Sequence, residues 1–338
     1  MVRLGLDLGT KNIVLAYRDG EKIREKCEIN GYLILDRADD FTEQLLVKQG
    51  VPFVRRGNEL IAIGRKAEKL AYSFNKTLMR PMAHGGVSMF NDDSLEIITI
   101  IIKAIIGKLN DDAILYYCTT AAPINADVNI DFHKKLVKLV VESYQGEAKI
   151  QAFQINEGRC LILEEPEAIG ISWGAGTVTV HAGVLGVPVF EFSICGAGDL
   201  VDEEAAKRFG YDPKHPNNPC SETPTTICRR KEELDLSVMP DDNVGKAIVL
   251  FYEILVENVV NNIVKGLIEN KDKFRFDHPL PVVNAGGTSM PKGFMDLLKR
   301  QIDKVRDKLV IPIGELRRCS DPLFEVSHGC LRASEMHK

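Results

Sequence analysis

Two stretches of this chain, far apart in sequence, share one design: an apolar strand, a glycine turn and a returning strand. Residues 2–8 alternate and run into Gly9-Thr10, and a second strand over 13–17 ends at the hairpin signal Asp19-Gly20. Residues 168–173 repeat the strand, Gly174-Ala175-Gly176 the turn, and residues 177–184 the return. Leu185-Gly186 then turns into a strand over 187–194, and Gly196 to Asp199 launches a helix over 201–209. Such a repeat predicts an internally duplicated chain. Strands and helices alternate throughout, which argues for α/β layers. At 338 residues the chain exceeds the usual single core, so two α/β domains are expected.

The remaining segments fill in that plan. Residues 31–80 are charge-rich, hold Gly50, Pro52, Gly57 and Gly64, and read as an irregular small subdomain inserted in the first half. A helix over 94–108 and a strand over 113–119 follow. The next helix, over 130–144, carries Leu136, Leu139, Val140 and Tyr144 on one face, and a strand spans 149–155. Residues 210–242 hold five prolines and little periodicity, which predicts a short loop-rich excursion. A long amphipathic helix over 243–269, a strand over 281–284 and a helix over 292–306 come after it. The expected division is domain I at 1–145 with a C-terminal return at 307–338, and domain II at 146–306.

Charge and cysteine usage narrow the function classes. A net charge of −5 gives no electrostatic reason to expect direct nucleic-acid binding. The opening residues read as a strand rather than an export signal. The most apolar run, 97–106, is broken by Lys103 and too short to span a bilayer, and no terminal amphipathic helix predicts membrane insertion. Eight scattered cysteines include no C-x-x-C pair, so a reducing, cytoplasmic setting is expected and a structural zinc site is not.

Three glycine turns carry the chemistry. In Asp7-Leu8-Gly9-Thr10-Lys11-Asn12, Gly9 lets backbone N–H groups approach a phosphate, and Thr10 adds a hydroxyl. Asp7, at the strand end, is placed to hold a hydrated divalent cation. Gly174-Ala175-Gly176-Thr177 is the second turn. The third, Asn284-Ala285-Gly286-Gly287-Thr288-Ser289, runs from a strand towards a helix, where paired glycines let an adenosine or phosphate lie against bare backbone. No G-x-x-x-x-G-K-[ST] is present. The one Rossmann-like string, Gly196-Ala197-Gly198, has Val201 in place of its third glycine.

The ordered set resembles the actin, sugar-kinase and heat-shock ATPase superfamily, and closer features look like bacterial actins of the MreB and MamK kind. Arg80-Pro81-Met82-Ala83-His84-Gly85-Gly86-Val87 resembles their Arg-Pro-Met stretch ahead of a helix. Gly196-Ala197-Gly198-Asp199-Leu200-Val201-Asp202-Glu203 resembles their Gly-Gly-Asp-x-x-Asp-Glu helix entrance. Lys231-Glu232 stands where that family has an adenosine-contacting Lys-Glu pair, and Asp321-Pro322-Leu323 through Gly329-Cys330 resembles its closing helix.

The resemblance implies an actin-like, duplicated ribonuclease H-like fold with ATP or ADP and Mg²⁺ in a cleft between two domains. It implies Asp7, Gly9, Thr10 and Lys11 as the first phosphate loop, with Asp7 towards the metal, and Gly174, Ala175, Gly176 and Thr177 as the second. Gly286, Gly287, Thr288, Lys231 and Glu232 would surround the adenosine, and Gly198 joins the nucleotide-binding set. A helix-initiating residue that orients the attacking water is matched by Glu157, with Glu165-Pro166 as its rival. The pattern breaks at Ser172, where the family has Asp, and at Thr179, where it has an acid or His, so slow hydrolysis is expected. His181 reads as a strand-face histidine rather than a substitute base. The implied role is a filament of self-associating subunits, with cargo adaptors as further partners; the alternative is a non-polymerising ATP-binding regulator or chaperone-like factor.

Overall fold

Leu4, Leu6 and Leu8 alternate along the first strand and are all buried, the period-2 pattern of a sheet that faces a core. The computed structural model describes residues 1–35, 39–74, 76–83, 85–88, 94–144, 148–165, 167–216, 218–276 and 278–337. His84, Pro166 and the expected domain boundary at 145/146 lie outside the described residues.

The chain opens with β1 (Val2–Leu8), β2 (Asn12–Asp19) and β3 (Lys22–Ile29). Next come β4 (Tyr32–Leu35), α1 (Asp40–Lys48), β5 (Phe53–Arg56), β6 (Glu59–Ile63) and α2 (Arg65–Ser73). The short hairpin β7 (Met82–Ala83) and β8 (Gly86–Val87) precedes α3 (Ser94–Ile106), β9 (Ala113–Thr119), α4 (Ile130–Glu142) and β10 (Ile150–Asn156). A single helical turn, α5 (Glu157–Cys160), leads to β11 (Glu167–Trp173), β12 (Thr177–Val184), β13 (Val187–Cys195) and α6 (Gly198–Lys207). The chain ends with α7 (Pro224–Glu233), α8 (Asn243–Asn270), β14 (Leu280–Ala285), α9 (Phe294–Lys304), β15 (Ile313–Arg318) and α10 (Glu325–Met336).

Two five-stranded sheets have the same topology. The first runs β3-β2-β1-β9-β10 and the second β13-β12-β11-β14-β15. In each, three antiparallel strands are followed by two parallel additions. The likeness extends to single residues. A Cβ on Gly5 of β1 would overlap the α10 backbone at Leu331 and Ser327, and a Cβ on Gly170 of β11 would overlap the α5 backbone at Gly158. Each glycine thus lets a helix lie directly against the central strand of its sheet. Aligning these glycines sets Asp7 opposite Ser172 and Gly9 opposite Gly174.

Sheet membership corrects the expected division at both ends. β10 completes the first sheet, so that sheet extends to Asn156 rather than ending before 146. β15 completes the second, and the return to the first sheet starts with α10, which packs on β1 and β9, rather than at 307. The segment 31–80 is not irregular: β4, β6 and β5 form a three-stranded sheet, and with α1 and α2 they enclose a small core of Leu33, Leu46, Val51, Leu60, Ala62, Ala67 and Ala71. The loop-rich excursion contains α7, started by a Thr223 capping box with Pro224 in its first turn. The apolar stripe of α4 is also rotated from the expected one. Ile130, His133, Val137, Val140 and Val141 are buried, while Leu139 is 64% exposed. The helix α8 is long and apolar enough to cross a membrane, yet half of its most apolar stretch is buried inside the protein, as in a core helix.

Candidate functional site

The two strand turns have one local geometry and meet tip to tip. A Cβ built on Gly9 would stand 2.7 Å from the carbonyl oxygen of Asn12, and a Cβ on Gly174 would stand 2.7 Å from that of Thr177. Both turns therefore close too tightly for any side chain at that position. A Cβ on Gly176 would come within 2.5 Å of the Thr10 hydroxyl, so the tips of the two loops abut. The third turn joins them: Gly286, at φ 97°, folds against the Trp173 carbonyl, and the Thr288 hydroxyl donates to the Gly174 carbonyl oxygen at 2.6 Å. Gly198, at the start of α6, passes so close to Thr288 that a Cβ would collide with its hydroxyl. Gly287 is different, because a Cβ there would meet nothing within 4 Å. Its bare backbone faces open space.

These turns line one cleft of about 850 Å³ between the two sheets. Asp7, Gly9, Thr10 and Lys11 border it from the first half, and Gly174, Ala175, Gly176 and Thr177 from the second. Gly198, Lys231, Glu232, Gly286, Gly287 and Thr288 complete the wall, with Glu157 and Ser172 also facing in. The structure thus brings the residues expected of the two phosphate loops and the adenosine turn, together with Glu157, to a single cavity.

Two carboxyls stand at its floor. Burial pushes Asp7 up to about 6, against a hydrogen bond from the Cys118 thiol at 3.1 Å. Glu157 opens α5, where the Asn156 side chain caps the helix by accepting from the Gly158 and Arg159 N–H groups. Burial, and then the charge of Asp7, pushes Glu157 up to about 7, while hydrogen bonds from Ser172 and Thr179 pull it down. Thr179 is fully buried behind the cleft wall and shares a 2.7 Å hydrogen bond with Thr120. Glu165 is absent from the cleft and pairs with Arg317. His181 also stays out, its Nδ1 lying 3.1 Å from Glu191 on the neighbouring strand. Among the described residues, no group of three or more His, Cys, Asp or Glu side chains forms a metal cage.

The Lys231-Glu232 pair divides its work. Lys231 is 6% exposed, and its ammonium donates to the Gly198 carbonyl at 2.8 Å and pairs with buried Asp202 at 2.7 Å. It anchors α7 to α6. Glu232, on the next helical position, instead meets Lys11 of the first loop at 2.9 Å, and Lys11 also donates to the Cys228 sulfur at 3.1 Å. Burial opposes the Lys11 charge, yet Cys228 and Glu232 hold its pKa above the ordinary lysine value. Sequence reasoning missed Cys228, Arg229, His133 and Tyr252, all of which line the cleft. No local pattern marks them, since each reaches the site through the packing of its helix.

The Volactin family model matches residues 1–334. No curated protein matches the sequence. Among solved structures, the chain is similar to one described as a MamK double helical filament, at a TM-score of 0.73 and 18% identity, covering 100% of this chain and 99% of that one. The fold is therefore an actin-like α/β fold with two sheet-containing domains and the cleft between them. With a family model that spans nearly its whole length, this chain belongs to the Volactin family.

Proposed function

We propose that this chain binds ATP with Mg²⁺ in the cleft, hydrolyses it slowly, and assembles with copies of itself into cytoplasmic filaments. The observation that carries the reading is the convergence of three backbone-lined turns on one cavity. Its volume of about 850 Å³ falls in the range of small-molecule sites. Backbone N–H groups of the first two turns suit phosphate oxygens, and the open backbone at Gly287 suits the flat adenosine.

The residues present also fit a divalent cation. Asp7 is a hard oxygen donor, and its pKa of about 6 means that its charge finds too little compensation within the protein. A bound dication supplies that compensation and neutralises phosphate charge. Because no protein cage surrounds Asp7 among the described residues, phosphate and water would provide the remaining ligands. Glu157, which burial pushes up to about 7 at the cleft, would orient and deprotonate an attacking water. Ser172 stands where the duplicated design puts a second carboxylate opposite Asp7, and its hydroxyl is a weaker partner for a hydrated cation, which favours slow turnover.

The fold likeness to a filament-forming subunit supports self-association, and head-to-tail contacts that do not close into a ring propagate. No disulfide joins any of the eight cysteines, in keeping with a reducing compartment. Sedimentation with ATP, with ADP and without nucleotide, alongside phosphate release, tests the reading. Concentration-dependent pelleting with ATP is expected. A protein that binds ATP but stays monomeric at every concentration would instead be an ATP-dependent regulator on this fold.

A further inference from the structure

Helix α7 has two faces with different employers. Ile227 and Lys231, one turn apart, are buried in the second half, where Lys231 holds Asp202 and the Gly198 carbonyl. Arg229 and Glu232, pointing the other way, reach residues of the first half. Glu232 pairs with Lys11 at 2.9 Å, and the Arg229 guanidinium lies 3.3 Å from the centre of the Tyr72 ring on α2. Beside them, Arg80 of the first half pairs with Asp199 in the first turn of α6 at 3.2 Å. All six side chains belong to, or border, segments that line the cleft. Three separate contacts therefore tie the small α/β subdomain and first glycine loop to α6 and α7, over the cavity they enclose.

We propose that α7, with the start of α6, is a strap across the cleft, and that the Lys11–Glu232, Arg80–Asp199 and Arg229–Tyr72 contacts set how fast a ligand leaves. This rests on the reading of the cleft as a nucleotide site. The anchored face makes α7 move with the second half, so opening the cleft must break all three contacts together. The pairs are partly exposed, so each is weak alone and is screened by salt. Their arrangement on one edge gives the strap its effect, because a closed state is held only while most contacts persist.

The test uses the full chain loaded with a fluorescent ADP analogue and chased with excess unlabelled ADP in a stopped-flow instrument. Asp199→Asn and Tyr72→Ala change neither phosphate-loop nor adenosine residues. Each is expected to speed release by about 2- to 5-fold, the factor that partly exposed pairs commonly carry. Together they are expected to reach about 10-fold, since the two contacts touch different residues. The charge exchange Arg80→Asp with Asp199→Arg is expected to restore slow release relative to either single change. Unchanged release in the double variant, or no restoration in the exchange, overturns the strap. Small-angle X-ray scattering of nucleotide-free protein gives a readout that does not depend on ligand. The strap predicts a larger radius of gyration for the Asp199→Asn/Tyr72→Ala protein than for wild type, and an equal radius overturns it. If wild type binds no ADP analogue at all, the nucleotide reading falls and the scattering comparison alone decides the strap.

Discussion

At the scale of single residues, the cleft concentrates acid where the protein stabilises it poorly. Burial and the charge of Asp7 push Glu157 up to about 7 from an ordinary 4.5. A carboxyl with a raised folded pKa holds its proton more tightly when folded. Its contribution to stability is therefore complete below about 4.5 and lost as the pH rises through about 7. Thermal melts of nucleotide-free protein should show wild type losing stability across that window relative to Glu157→Gln; parallel curves would mean that Glu157 is not strained. In kinetics, Glu157→Ala should lower phosphate release by about 10²–10⁴-fold, the usual loss for a positioned acid–base group. Ser172→Asp should raise it, because the duplicated design sets that position opposite Asp7. Phosphate release measured on both variants checks the pair, and no change in either would remove Glu157 and Ser172 from the chemistry.

At the scale of elements, the duplication is held by close approach. Gly5 and Gly170 each admit a helix against the central strand of a sheet, and an added methyl would meet backbone rather than a movable side chain. Gly170→Ala should therefore destabilise the fold by about 1–3 kcal/mol or more, as overpacking does where neither partner can shift. A denaturant midpoint like that of wild type would show that α5 can lift away from β11. Helix α7 illustrates a different economy. Its start is marked by Thr223-Pro224, a capping box followed by a residue suited to a first turn, inside a stretch that otherwise reads as loop. Its direction relative to the cleft follows from Ile227 and Lys231, which only the packed second half can bury.

At the scale of the molecule, two copies of one sheet topology face each other with their turns inward, so a ligand in the cleft touches both halves at once. Anything that binds the folded state alone adds stability by mass action. ATP with Mg²⁺ at about 100 times its dissociation constant should add about 2.7 kcal/mol, seen as a rise in melting midpoint. Chelating the metal should shrink that rise, because Asp7 and the phosphates would then repel. A melting midpoint indifferent to ATP and to the chelator would remove the nucleotide from the cleft.

The three glycine turns were legible from the residues because each is a local event. A short apolar strand must end where Gly9, Gly174 or Gly286 lets the backbone turn, and no distant residue is needed to see it. The repeat of that event predicted two α/β halves, and the order of the turns carried the likeness to actins. Distant partners were not legible. Strands β10 and β15 each joined the sheet opposite to the one expected, because strand pairing depends on which edge is free and not on the strand itself. The stripe of α4 rotated so that Val137 faced the core and Leu139 faced out, since several faces of that helix are apolar enough to bury. The Lys11–Glu232 pair joins residues 221 positions apart. Periodicity reports what one segment needs to bury; which segment meets its charge is decided only when both halves have packed.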